Sequence, residues 1–251
     1  MKINIIQHLL IEITRECNLS CAHCLRGKAE RGVIQTEYLE ELFSQIENIG
    51  TLTITGGEPS LYPEKIEEIV SLAKTYKVNI DNFYIAINGT IASAEFLTAL
   101  MNLWLYCSDN EISGVNVSND VFHEREWELN YEKLSILKFV SKKYIEDDYD
   151  YNKYSQILAE GYGANLSEKE NNNSISIDDI LREELEEELA QTLNDSEFYL
   201  NCKGNIILGC DWSYESQDDP KNILCSVQEF ANVYEAFFHK LKLKENYYVC
   251  D

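Results

Sequence analysis

Between residues 8 and 120, strand-like and helix-like patterns alternate, and each strand-like run ends in a glycine or polar residue. Residues 8–14 (HLLIEIT) read as a buried strand leading straight into a group of cysteines. A helix is expected next, with Thr36 as its N-cap and Glu37, Glu40 and Glu41 suiting the positive end of its dipole. Leu39, Leu42, Phe43 and Ile46 would form its buried stripe. The run TLTIT (51–55) is a short β-branched strand that stops at Gly56-Gly57-Glu58-Pro59. A helix follows over about 63–76, carried by Ile66, Ile69, Val70 and Leu72. Strand 83–87 ends at Asn88-Gly89, a helix covers 93–104, and strand 112–118 ends at Asn119-Asp120. Such alternation argues for a parallel α/β sheet or barrel, with functional loops gathered on one rim.

Composition narrows the partners. The 251 residues carry 21 Lys+Arg against 44 Asp+Glu, a formal charge of −23. Nucleic acid and anionic membrane both reward a basic surface, so this balance disfavours them; a basic partner or a small molecule is easier to accommodate. No apolar run approaches the roughly 18–20 residues of a membrane span. The N-terminal MKINIIQHLLIEIT is broken by Gln7, His8 and Glu12 and reads as a strand, not a secretory signal, which points to the cytoplasm. Much of the negative charge sits in residues 146–189, with 14 acidic side chains against three basic ones. There Leu181, Leu185, Leu189 and Leu193 mark one packed helical stripe with a solvated acidic face. From Phe198, FYLNCKGNIILGC resembles two strands joined at Lys203-Gly204.

Cys17, Cys21 and Cys24 fall within eight residues, while Cys107, Cys202, Cys210, Cys225 and Cys250 are scattered. Without a secretory signal, clustered cysteines point to metal more than to disulfides. Three thiolates from one loop are one short of the four protein ligands that tetrahedral zinc or a complete [4Fe–4S] cluster takes. Three can hold three irons and leave the fourth open to an outside ligand. On spacing alone, zinc and chance clustering remain alternatives.

The Cys17-x3-Cys21-x2-Cys24 motif after a first strand, with His23 at the position of an aromatic residue, resembles the radical S-adenosylmethionine (SAM) superfamily. Gly56-Gly57-Glu58-Pro59 after the second strand is similar to that family's Gly-Gly-Glu-Pro motif, and Asn88-Gly89 and Ser118-Asn119-Asp120 match its third and fourth strand ends. The resemblance covers residues 8 to about 125. It implies a partial (β/α)6 TIM-like barrel over residues 1–165, with a small α+β extension over 166–251 holding the acidic helix and the hairpin. It also implies a [4Fe–4S] cluster on Cys17, Cys21 and Cys24 with SAM on the open iron. One electron, from a donor such as flavodoxin or ferredoxin, then cleaves SAM to a 5′-deoxyadenosyl radical that takes a substrate hydrogen.

His23, Gly56, Gly57, Glu58, Asn88 and Ser118 are the implied SAM-side residues. Turn or cap roles are the alternative for Asn88 and Ser118. Arg15, Arg26, Lys28 and Arg31 either offset cluster charge or are ordinary surface residues. His123 is a substrate contact, an acid/base group or a loop histidine with a structural hydrogen bond, and Asp120 is similar. Cys202, Cys210, Cys225 and Cys250 suffice in number for a second iron–sulfur cluster but lack a tight Cys-x2-Cys pair. Cys210 alternatively gives a hydrogen atom to a substrate radical, or these thiols are buried and inert. The hairpin is loosely similar to that of peptide-modifying members, so a peptide is the expected substrate. With the chain beginning at the barrel, such a peptide is expected to need a separate recognition protein or direct capture. The rivals are small-molecule chemistry of the deazapurine type, activation of a glycyl radical enzyme, and a non-catalytic metal-binding or electron-transfer module.

Overall fold

Strand β1 (Ile3–Thr14) organises the sheet, because Leu9 to Thr14 are buried without a break. Such a strand needs cover on both faces and a neighbour on both edges. The computed structural model, which describes residues 2–119, 123, 128–144, 158, 160–166 and 197–233, supplies both. On one edge β1 pairs in parallel with β2 (Ile46–Gly56), followed by β3 (Asn79–Ile87), β4 (Gly114–Asn119) and β5 (Val140–Tyr144). On its other edge β1 pairs in parallel with β6 (Glu197–Leu200). Strands β7 (Asn205–Leu208) and β8 (Ile223–Ser226) continue antiparallel, giving the order β5-β4-β3-β2-β1-β6-β7-β8. Six strands therefore run parallel, and the sheet is open, as a partial barrel requires. The expected hairpin forms at Lys203-Gly204 and extends the same sheet through β1.

Helices α1 (Thr36–Ser44), α2 (Pro63–Tyr76) and α3 (Ala94–Tyr106) cover one face. Leu39, Phe43, Ile66, Ile69, Phe96 and Leu100 share a core there with Leu9, Ile11, Leu52, Ile54 and Phe83. The alternate residues of β1, β6 and β7 build a smaller apolar group of Leu10, Tyr199, Ile207 and Trp212 on the opposite face. A short helix α4 (Glu128–Leu134) precedes β5, and α5 (Tyr214–Asp218) follows β7. Among the described residues no helix is long and apolar enough to cross a membrane. The leucine stripe of 181–193 lies outside the described residues.

Local boundaries differ from expectation where tertiary pairing overrides local pattern. The N-cap of α1 is Gln35, and Thr36 is the first helical residue. Ile46 belongs to β2, where it pairs with Ile3, so β2 begins well before the TLTIT run. Residues Asn110–Ile112 form a 3-10 turn, so β4 starts at Gly114.

A buried ionic knot joins the end of β1 to the C-terminal elements. Arg15 is 1% exposed. Its Nε donates to Glu12 Oε1 at 2.9 Å, and its two terminal nitrogens grip Asp218 at 2.8 and 2.9 Å. Further bonds reach Glu30 at 3.0 Å and Gln217 at 3.2 Å, and the guanidinium lies 4.6 Å from the Tyr214 ring centroid. Glu12 in turn accepts from Tyr199 Oη at 2.7 Å and from the Cys202 backbone N–H at 3.1 Å. Every donor and acceptor that a buried ion pair exposes to penalty is thus engaged. Burial works against the Asp218 carboxylate, but hydrogen bonds from Arg15 and Lys203 outweigh it and hold its pKa below the ordinary 3.8.

Removing one partner of such a knot leaves buried charge uncompensated. Arg15→Met is expected to lower stability by about 3–5 kcal/mol in denaturant unfolding. Because the Asp218 pKa is lower in the folded state, its contribution is present above pH 3.8 and lost as pH falls through the folded value. Thermal melts should therefore show a shallower acid limb for Asp218→Asn than for the wild type, with the difference shrinking below pH 3.8.

Candidate functional site

The loop that leaves β1 closes its own neck. Arg15 N–H donates to Gly32 O at 2.9 Å, Glu30 N–H to Arg15 O at 3.1 Å, and Ile34 N–H to Ile13 O at 2.9 Å. The three cysteines Cys17, Cys21 and Cys24 lie on the loop so formed, as free thiols of intermediate exposure. Burial pushes the Cys17 thiol up, while a 3.4 Å bond from the Leu19 N–H works the other way.

Each neighbouring strand end holds a different point of this loop. At the end of β2, Gly57 N–H donates to Thr14 O at 2.8 Å and Glu58 N–H to Glu16 O at 2.9 Å. A Cβ at Gly56 would strike Thr14 O, and one at Gly57 would strike Glu16 O. Only glycine lets the two strand ends approach so closely. The two glycines, named above as implied SAM-side residues, are here pressed against the cysteine loop. Tyr62 Oη adds a 2.7 Å bond to Glu16 Oε2, which, with burial, pushes the Tyr62 hydroxyl up to about 12.

Glu58 is 2% exposed, and burial pushes its carboxyl pKa up. Its Oε1 accepts from Ser60, capping the 3-10 turn Pro59–Leu61, and its Oε2 accepts from Asn88 N–H at 2.8 Å. It therefore ties the ends of β2 and β3 together. The Asn88 side chain closes a turn by accepting from Thr90 N–H at 2.9 Å and donates to Asn18 Oδ1 at 2.9 Å. Asn18 returns a 2.7 Å bond to Thr90 Oγ1. Ser118 is half-buried next to the end of β4, in register with Lys143 of β5. Asp120 lies outside the described residues.

The far side of the loop is held by the C-terminal elements. Tyr162 N–H donates to Cys24 O at 2.9 Å, and a Cβ at Gly161 (φ +55°) would strike Leu25 O. Arg26 donates to Trp212 O and, at 2.9 Å, to Cys210 O, and it sits 5.0 Å from the Tyr199 ring centroid. Cys210 is thereby placed beside the loop, half-buried. Burial, with Asp211 and Glu197 adding to it, pushes its thiol up to about 12. Cys202 and Cys225 are buried in the main core, and burial likewise pushes Cys202 up to about 12. Cys250 lies outside the described residues, and a second cluster on these thiols is not shown.

Three residues gain weight from geometry that sequence pattern did not supply. His123 brings Nε2 to 3.6 Å from Cys21 Sγ, and its ring meets His23 edge-on at 5.3 Å between centroids. Its place after a strand end was the one hint. Asn18 and Thr90 carried no signal, since the bond that joins them spans 72 residues. The donor chemistry fits an iron–sulfur cluster: three soft thiols on one loop pinned at both ends. Among the described residues no three His, Cys, Asp or Glu side chains are grouped to hold a single metal ion. A cubane takes one thiolate per iron, so its ligands stand farther apart than those of one ion.

Comparison with known proteins agrees with this geometry. The family model "Radical SAM superfamily" matches residues 11–149, more than half of the chain. GTP 3′,8-cyclase of Chlorobaculum tepidum is 32% identical over 126 residues, covering 49% of this chain and 35% of that protein. The mycofactocin maturase MftC of Mycobacterium tuberculosis is 31% identical over 93 residues, covering 36% of this chain and 23% of that protein. The match thus spans about a third or less of either relative's length. The structure of anSMEcpe with bound AdoMet and a Cp18Cys peptide has a TM-score of 0.57 at 15% identity, over 94% of this chain and 80% of that one, and so shares the fold. From the cysteine loop, the Gly-Gly-Glu-Pro strand end and the family match together, the chain belongs to the radical SAM superfamily.

Proposed function

We propose that this chain acts as a radical SAM enzyme on a peptide. The observation that carries the reading is the direct hydrogen bonding of the cysteine loop to the Gly56-Gly57-Glu58 strand end. In this reading Cys17, Cys21 and Cys24 would hold a [4Fe–4S] cluster, and His23, Gly56, Gly57, Asn88 and Ser118 are the residues that would bind SAM. When bound, the cluster and SAM supply one-electron cleavage of SAM and the radical that takes a substrate hydrogen. The residues of the chain do the rest. Glu58 and Asn88 spend their side chains on fixing strand ends, so they position the site. Cys210 keeps its proton at neutral pH, since its thiol is pushed up to about 12. An intact S–H bond is what a hydrogen-atom donor to a substrate radical requires.

Support for a peptide comes from anSMEcpe, whose structure holds a peptide in the same fold, and from the charge of −23, which would welcome a basic segment. A small-molecule substrate is the second reading, favoured by the similarity to GTP 3′,8-cyclase. The same charge opposes a polyanionic nucleotide.

Anaerobic reconstitution tests the core of the proposal. About four irons per chain and 5′-deoxyadenosine on adding SAM and dithionite are expected, both lost in Cys17→Ala. Zinc, or a cluster that leaves SAM intact, would sink it. Basic peptides should stimulate 5′-deoxyadenosine formation more than GTP does; the reverse result would move the substrate to the second reading. In deuterated water the Cys210 thiol exchanges, so the product should carry solvent deuterium, and Cys210→Ala should lose that label while still cleaving SAM.

A further inference from the structure

His123, which follows β4 in the chain, touches the cysteine loop twice. Its Nε2 lies 3.6 Å from the Sγ of Cys21, within hydrogen-bonding range for sulfur. Its ring stands edge-on to His23, at 86° and 5.3 Å between centroids. That second contact fixes the direction from which the imidazole approaches, because His23 lies between Cys21 and Cys24. His123 is also near enough to the buried Glu58 carboxyl to work against the upward push that burial gives it.

Which atom donates follows from the sulfur. A thiol has a proton to give, but a thiolate ligating iron is an acceptor only. Next to a bound cluster the contact persists only with Nε2–H as donor. Hydrogen bonds to ligating sulfurs stabilise the more negative, reduced cluster and so raise its potential. We propose that His123 is a positioning residue that donates from Nε2 to the Cys21 thiolate and raises the reduction potential of the cluster. This rests on the assignment of Cys17, Cys21 and Cys24 as cluster ligands. It gives the residue after β4 a task that involves neither substrate nor proton transfer, and it identifies Cys21 as the ligand whose electron density the protein adjusts.

The test compares reconstituted wild type, His123→Phe and His123→Gln by iron content and by a redox titration followed by EPR, without substrate. His123→Phe keeps a flat ring against His23 but has no donor, whereas His123→Gln keeps an N–H. All three should bind the same iron. At a fixed low potential, the ratio of reduced to oxidised cluster should fall about tenfold in His123→Phe, a shift of about 59 mV for one electron. His123→Gln should recover most of that shift. An unchanged potential in His123→Phe overturns the proposal, as does loss of iron in both variants, which would make His123 a structural support. Failure of the wild type to take up iron would instead overturn the ligand assignment itself, and this inference with it.

Discussion

The guanidinium of Arg15 sits where three parts of the chain must agree. It follows the last residue of β1, it precedes Cys17 by two positions, and it reaches across to α5. Burying that charge is tolerable only because Glu12, Glu30, Asp218 and Gln217 surround it together. Glu12 is shared in the same way, between Arg15, the Tyr199 hydroxyl and the Cys202 N–H. A change in where the hairpin or α5 docks would strand one of these charges. The knot therefore couples the start of the cysteine loop to the placement of β6, β7 and Cys210. It also agrees with β6 lying beside β1, since Tyr199 reaches Glu12 from that adjacent strand.

The Gly-Gly-Glu-Pro segment shows the same economy at closer range. Its backbone N–H groups, which in an open strand end would face solvent or a ligand, bond Thr14 and Glu16. Its carboxylate is used up on Ser60 and Asn88. The cysteine loop is consequently held from β2 through Gly57, from β3 through Asn88 and from the C-terminal side through Arg26. Three thiols presented by a loop with that many tethers lose little freedom on binding a cluster, which is the advantage of a preorganised site.

How legible this was depends on the range of the interaction. The strands and helices up to residue 119 were readable because their cause is local: periodic apolar residues with glycine or polar stops. The span of α2 agrees with the stretch of about 63–76 that its periodicity marks, and the cysteine spacing points to metal before any geometry. Ile46 was misplaced because a β-branched residue completing a helical stripe looks the same as one opening a strand; only Ile3 across the sheet decides it. Arg15 and Arg26 could be read as surface cations because nothing near them in sequence shows that Asp218, or the carbonyls of Cys210 and Trp212, will cover them. The link between Asn18 and Thr90 was invisible for the same reason.

Those two arginines also decide an electrostatic question. In a chain of net charge −23, cations beside a cysteine loop invite the view that they balance cluster charge. Arg15 has no charge to spare, since Glu12, Glu30 and Asp218 already contact it. Arg26 points its donors at two carbonyls and lays its face near Tyr199, and Glu12 lies within its electrostatic reach. Both cations are thus committed to holding the C-terminal elements. Adjustment of electron density at the thiolates then falls to shorter-range donors, and among the described residues the backbone N–H of Leu19 at Cys17 and the imidazole of His123 at Cys21 lie within reach.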